Sequence, residues 1–381
     1  MDIVEVHRAK CTQCGQCLDV CPRYDDIGLI ESLYGYLEIK LDIDPDSLMR
    51  CLTCGLCVDA CPEGLGIKML ISPARQKWVN EHGLTDRQTM VDPEAENNIF
   101  KNIAEVDEIP SYRKGPGSVV YFPGCAGTYI NKIMAKATVA LLDKSGVDYT
   151  VLSGLEFCCG AVSAGAGNSS PIRRNGQNNI AEIQKRGAKI LITACPGCFK
   201  AFKDIYPKMF GKLDFQVMQI SQYLELLLRE GKLTPKAVLN HRVFYHDPCH
   251  LTRGMGVYLE ARTVLENIPG TELVNKTPLN SACCGFGGGV RVNYPSESLE
   301  VALDRYRAAE KLGCDVIITN CGGCMQNLIE VGEEKIKIFD LAEYLSIACG
   351  IQIDREDKKM LELVNRAYRL CISGYGEFNT S

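Results

Sequence analysis

The stretch ACCGFGGGVR, residues 282–291, has a counterpart in EFCCGAVSAG, residues 156–165. Each centres on two adjacent cysteines, with a single cysteine upstream and a Cys-x-x-Cys downstream. The first frame is Cys125, Cys158, Cys159, Cys195 and Cys198; the second is Cys249, Cys283, Cys284, Cys321 and Cys324. Matching cysteines lie 124, 125 and 126 residues apart. A repeat this regular, with the same residue type at every matching position, points to two copies of one domain, each built to hold one metallic object.

The segments around the frames alternate between two hydrophobic periods. SVVYFP (118–123) reads as a buried strand, YINKIMAKATVALLDKSG (129–146) as an amphipathic helix stopped by Gly146, and VDYTVL as the next strand. IAEIQKRGAKILITACPGC and FQVMQISQYLELLLREG complete the first copy, and HRVFYHDPCHL, TELVNK, LDRYRAAEKLGCDVIITNCGGC and IKIFDLAEYLSIACG repeat the order. Strands alternating with helices predict parallel sheets. The frame cysteines then fall on loops at the carboxyl ends of strands, where such folds bind their ligands.

Ahead of the repeat, residues 11–21 read CTQCGQCLDVC before Pro22, and residues 51–61 read CLTCGLCVDAC before Pro62. Both match the ferredoxin run C-x2-C-x2-C-x3-C-P, whose fourth cysteine ligates the other cluster. The expected assignment is Cys11, Cys14, Cys17 and Cys61 on one cubane [4Fe–4S], and Cys51, Cys54, Cys57 and Cys21 on a second. A pair of zinc knuckles would need no exchanged fourth sulfur. Asp44 and Pro45 form an N-cap and first helical position between the runs, so the module is expected to be helical.

The expected organisation is therefore a two-cluster module at 1–81, a polar linker or covering strap at 82–117, α/β domains at 118–240 and 241–350, and a C-terminal helix and tail at 351–381. Trp78, in the helix leaving the module, is read as packing.

Composition supports metal ligation over the other uses of cysteine. The 381 residues are 46% apolar and carry a net charge of −5, which gives no basic footprint for nucleic acid. No apolar run is long enough to span a bilayer, and MDIVEVHRAKC lacks the apolar core of a signal peptide. A cytoplasmic, reducing location is expected, with the 21 cysteines serving mainly as thiolate ligands. Cys314, Cys349 and Cys371 belong to no frame and read as buried small hydrophobes.

Five thiolates per copy exceed the needs of a cubane, whose four irons each take one external sulfur. Either one cysteine stays free, or the cluster is not a cubane; a four-thiolate zinc site with a spare thiol and a vicinal disulfide are the other readings.

The doubled frame, with CCG in both copies and DPCH at 247–250, resembles the cysteine-rich CCG domains of heterodisulfide reductase. With the ferredoxin run fused ahead of it, the arrangement looks like the D subunit of that enzyme. The resemblance implies two noncubane [4Fe–4S] clusters, one per frame, with a small-molecule disulfide or thiol substrate between them. It also implies a redox partner, either a membrane cytochrome b or a flavoprotein, that would tie the chain to a membrane. Iron–sulfur subunits of glycolate, lactate and glycerol-3-phosphate dehydrogenases look similar too, and there such a chain only passes electrons to a quinone or cytochrome.

His250, next to Cys249, is the candidate proton-transfer residue, with His246 just ahead of it. Arg253, Arg291, Lys132 and Lys200 are cations near the frames that an anionic substrate could use. The glycines at 285–289 and 160–167 follow ligands and do not open a helix after a strand, so they make no dinucleotide fingerprint; they are expected to admit backbone amides to cluster sulfides.

Overall fold

The computed structural model describes residues 2–39, 41–276, 282–332 and 335–372; the tail at 373–381 lies outside them. Strands β1 (Val119–Phe122), β2 (Tyr149–Val151), β3 (Ile190–Thr193) and β4 (Gln216–Gln219) form one sheet in the order β2-β1-β3-β4. Strands β5 (His241–Tyr245), β6 (Thr271–Leu273), β7 (Val316–Thr319) and β8 (Lys337–Asp340) form a second in the order β6-β5-β7-β8.

Every pairing is parallel, and the registers correspond between copies. Val119 opposes Tyr149 and Ile190, and Val243 opposes Leu273 and Val316. Strands β1 and β7 are buried along their whole length. Helices cover both faces, which is why these strands read as unbroken apolar runs and not as alternating ones.

Local signals set the helix ends. Helix Lys132–Ser145 stops at Gly146, which takes the left-handed conformation (φ 66°) that a side chain would resist. The helix after each sheet's last strand starts with a capping box, Gln219 with Gln222 before Ile220–Arg229, and Asp340 with Glu343 before Leu341–Ala348.

The two repeats pack by exchange. Lys132–Ser145 of the first lies on Leu341–Ala348 of the second, while Ile220–Arg229 lies on Glu260–Glu266. A single apolar core runs from Leu141 and Ile192 across to Val264 and Leu345. Burying it fixes the two cysteine-bearing ends with respect to each other. At that end Asn131 Nδ2 donates to Gly322 O at 2.6 Å, joining the loop after Cys125 to the loop after Cys321.

The N-terminal module contains no strand among its described residues. Helices Gly28–Ile39 and Ile67–His82 pack around Leu33, Leu48, Leu70 and Ile71, and Asp44 caps Pro45–Met49 by accepting from Asp46 N. Trp78 is part-buried and stacks on His82 at 4.8 Å. The stretch 82–117 is folded as well. It carries helices Asp86–Thr89 and Ile99–Val106, and the second packs on the C-terminal helix Asp357–Cys371 through Phe100, Ile103, Val364 and Tyr368. Its apolar residues form one narrow stripe among acidic neighbours, so its composition resembles that of a linker. Of the cysteines outside the frames, Cys314 and Cys349 are buried and Cys371 is half-buried beside Asn102.

Candidate functional site

The eight N-terminal cysteines gather in two hollows. Cys11, Cys14, Cys17 and Cys61 line one, with Leu65 and Ile30. Cys21, Cys51, Cys54 and Cys57 line the other, with Tyr24 and Ile67. The fourth cysteine of each run thus reaches the hollow of the other. Two of the three non-glycine residues with positive φ among the described residues are Gln13 (54°) and Thr53 (51°), at matching positions of the two loops. Such a backbone turns successive N–H groups inward, as an anionic cluster requires. Thr53 N lies 3.4 Å from Cys51 Sγ. The hollows differ in depth: Cys14 is exposed in the first, whereas Cys51 and Cys57 are buried in the second.

Each five-cysteine frame also closes on itself. In the first copy Cys158 contacts Cys125 and Cys159, Cys159 Sγ lies 3.2 Å from Cys198 Sγ, and Cys198 contacts Cys195. In the second, Cys283 contacts Cys249 and Cys284, Cys284 Sγ lies 3.1 Å from Cys324 Sγ, and Cys324 contacts Cys321. One thiol per site is pulled well below its ordinary range by neighbouring donors: Cys158 by Cys125 and Cys159, and Cys284 by Cys283, Cys324 and His246. Five soft sulfurs in one buried group suit iron better than a hard ion. A single tetrahedral ion would leave one of them over.

The module is locked onto the second site. Cys54 packs against the buried cluster that contains Cys249 and Cys283, and Arg253 Nε donates to Cys54 O at 2.9 Å. Arg75, fully buried, donates to Leu48 O (2.8 Å) and Cys51 O (2.7 Å) within the module, and to Gly165 O and Gly288 O (both 2.8 Å) in the two glycine loops. One guanidinium therefore holds three parts of the chain.

The glycine runs serve this junction. A Cβ on Gly288 would lie 2.1 Å from Cys51 O and one on Gly287 2.7 Å from Leu52 O, so these two glycines admit the module's backbone.

His250 points into the junction. Its Nε2 lies 3.1 Å from Thr53 Oγ1 and 3.2 Å from Thr53 O, and burial pushes its pKa down to about 4, so the ring is neutral at physiological pH and braces the strained Thr53. The histidine among the thiols is His246: a ring nitrogen, Cys284 Sγ and Cys324 Sγ lie within 4.8 Å of one another.

Of the expected cations, Arg253 faces the junction, and Lys200 is part-buried with its pKa lowered by burial and by nearby Lys68. Arg291 is paired with Glu330 and Lys132 with Asp107, both at 2.6 Å. Arg75 escaped the sequence reading, although a lone arginine on the stripe Ile67, Leu70, Ile71, Ala74 is a visible oddity. His246 was named only as the neighbour of His250; laying the two copies over each other sets it against Phe122 and marks it out.

Comparison with known families agrees with this architecture. Residues 3–62 match the 4Fe-4S dicluster domain, and residues 119–203 and 243–329 each match the cysteine-rich domain named CCG. The chain thus belongs to the iron–sulfur proteins that join a 4Fe-4S dicluster domain to two cysteine-rich CCG domains. It is 34% identical over 61% of its length to the D subunit of the dihydromethanophenazine:CoB–CoM heterodisulfide reductase of Methanosarcina mazei, spanning 59% of that protein. It is 30% identical over 89% of its length to the B subunit of the fumarate reductase (CoM/CoB) of Methanothermobacter marburgensis, spanning 61% of it. The chain therefore covers about three fifths of these relatives. A crystal structure of a hypothetical protein from Helicobacter pylori shares the fold, with a TM-score of 0.58 at 12% identity, over 88% of this chain and 68% of that one. Among the described residues, no helix is long and apolar enough to cross a membrane.

Proposed function

We propose that this chain is an oxidoreductase subunit that cleaves the disulfide of a thiol coenzyme, of the CoM-S-S-CoB type, at two noncubane [4Fe–4S] clusters. One cluster is held by Cys125, Cys158, Cys159, Cys195 and Cys198, and the other by Cys249, Cys283, Cys284, Cys321 and Cys324. Two cubane clusters, held by Cys11, Cys14, Cys17 and Cys61 and by Cys21, Cys51, Cys54 and Cys57, feed them.

The observation that carries this reading is the order of the cysteine groups: a hollow open at Cys14, a deeper hollow that takes Cys21 from the first run, and Cys54 of that deeper hollow packed against the cluster containing Cys283. The reaction R–S–S–R′ + two electrons + two protons gives two thiols. Iron–sulfur clusters supply electrons singly, which is why two such sites suit a two-electron cleavage. The protein's part is to hold both sites rigidly through the shared core, and to shield the junction from water by burying His250, Arg75 and Arg253. A redox partner, either a membrane cytochrome b or a flavoprotein, delivers electrons at the solvent-facing hollow.

The test is anaerobic oxidation of the iron-loaded protein in the presence of candidate thiols, followed by electron paramagnetic resonance. A thiol-dependent signal that disappears in Cys158→Ser or Cys283→Ser is expected. Silence with every thiol, together with fast reduction by a flavoprotein, would assign the chain to plain electron carriage.

A further inference from the structure

The two cysteine sites are copies of one design, yet one of their buried neighbours differs in kind. Cys125 and Cys249 correspond at an offset of 124 residues, and the same offset pairs Phe122 with His246. Both follow corresponding strand positions and both are 1% exposed. Phe122 meets Phe202 edge-on at 5.0 Å, so the first site has hydrocarbon at this position.

His246 instead presents two ring nitrogens. Arg305 Nε donates to Nδ1 at 3.2 Å, which makes Nδ1 the acceptor and leaves the ring proton of the neutral tautomer on Nε2. Nε2 has no oxygen or nitrogen partner of its own, a costly arrangement for a fully buried N–H. The ring stands within 4.8 Å of the Cys284 and Cys324 sulfurs. Arg305 is itself mostly buried and packs over Phe244 at 4.4 Å, so the pair is held from behind.

We propose that His246, oriented by Arg305, donates its Nε2–H to sulfur at the second site and makes that cluster the more easily reduced of the two. This rests on both frames holding iron–sulfur clusters, as proposed above. Hydrogen bonds to cluster sulfurs stabilise the reduced, more negative state and raise the reduction potential. A donor at one site and a phenyl ring at the other therefore give the twin clusters different potentials. The site with the donor is also the one that touches Cys54, so electrons leaving the ferredoxin module first meet the better acceptor. Arg305 is a positioning residue in this scheme, since it acts only through the imidazole.

The experiment is a redox titration of the iron-loaded full chain, followed by electron paramagnetic resonance, on the wild type, His246→Phe and Arg305→Gln. His246→Phe copies the first site, and is expected to lower the midpoint of one CCG signal while leaving the other in place. Arg305→Gln should shift the same midpoint in the same direction by less. An exchangeable-proton coupling at that cluster should be present in the wild type and lost in His246→Phe. If both midpoints stay put in either variant with iron content unchanged, the donor role is wrong. A strong nitrogen coupling, meaning an imidazole bound to iron, also overturns it. Absence of iron from both frames in the wild type would instead sink the cluster assignment itself, and total iron analysis separates the two failures.

Discussion

Cys54, in the second ferredoxin loop, packs against the buried cluster that holds Cys283, first of the vicinal pair in the second repeat, although 229 residues separate the two. In the first frame, by contrast, the thiols that influence Cys158 and Cys159 are those of the same frame. If these sulfurs bind iron, the second site is the entry point for electrons and the first is filled through it. Rapid-freeze reduction by a low-potential donor should then show the second site's signal rising before the first's. Cys283→Ser should slow reduction of the first site at least tenfold, and equal rates in that variant would remove the ordering.

Arg75 offers a separate prediction on stability. Its guanidinium serves four carbonyls in three parts of the chain and is fully buried. Arg75→Met keeps much of the volume but leaves those acceptors unpaired in a dry junction, at about 1–3 kcal/mol for each that finds no water. Arg75→Lys cannot span the four, because an ammonium has three donors and no planar fork. Both variants should lower the midpoint of thermal unfolding, methionine more than lysine. In Arg75→Met the N-terminal module should melt before the sheets, read by far-UV circular dichroism and by the visible absorbance of its clusters. A single unshifted transition in both would mean the junction is held elsewhere.

What the sequence disclosed and what it hid divide along a physical line. Cysteine spacing is legible because a metal site restricts both residue type and loop length, and strands such as Val119–Phe122 are legible because burial on both faces demands unbroken apolar runs. The exchange packing of the repeats was not legible, since an apolar helix stripe does not say which helix it meets. Arg75 was missed because it acts on backbone carbonyls, which leave no trace in residue identity. The place of His250 beside Cys249 is legible in sequence; its contact with Thr53, 197 residues away, is not. The partners of Gly287 and Gly288, Leu52 O and Cys51 O, are not legible either, because they lie more than 230 residues away in sequence.

Gly288 tests that reading of the glycine run. Its φ of 65° already disfavours any side chain by about 1 kcal/mol. A methyl group there would also press on Cys51 O from 2.1 Å, so the module must move. Gly165 is the control, because a Cβ there meets nothing within 4 Å. Gly288→Ala should slow electron passage from the module to the second site and destabilise the fold by roughly 2 kcal/mol or more, whereas Gly165→Ala should do neither. Magnetic coupling between the deeper N-terminal cluster and the second site should weaken only in Gly288→Ala.

The cap of helix Leu341–Ala348 carries a pH dependence that is independent of iron. Burial pushes the Asp340 carboxyl up to about 7, and burial pushes Glu343 up to about 7 as well, outweighing the Arg355 guanidinium 3.0 Å away. Asp340 Oδ1 accepts from Ala342 N at 2.9 Å, while Oδ2 has no partner. In the unfolded chain both groups titrate near 4. Between about pH 4 and pH 7 the folded chain therefore holds protons that the unfolded chain has lost, and stability falls as pH rises through this window. Asp340→Asn retains an acceptor for Ala342 N but cannot ionise, so it removes one of the two contributions. Denaturant unfolding from pH 4.5 to pH 8 should show wild-type stability declining by a few kcal/mol from this pair, against the rising trend of ordinary ion-paired carboxylates. Asp340→Asn should flatten the decline and be the more stable protein at pH 8. A slope unchanged by the substitution would mean that Asp340 is already ionised at pH 5 and that its unpartnered oxygen is solvated.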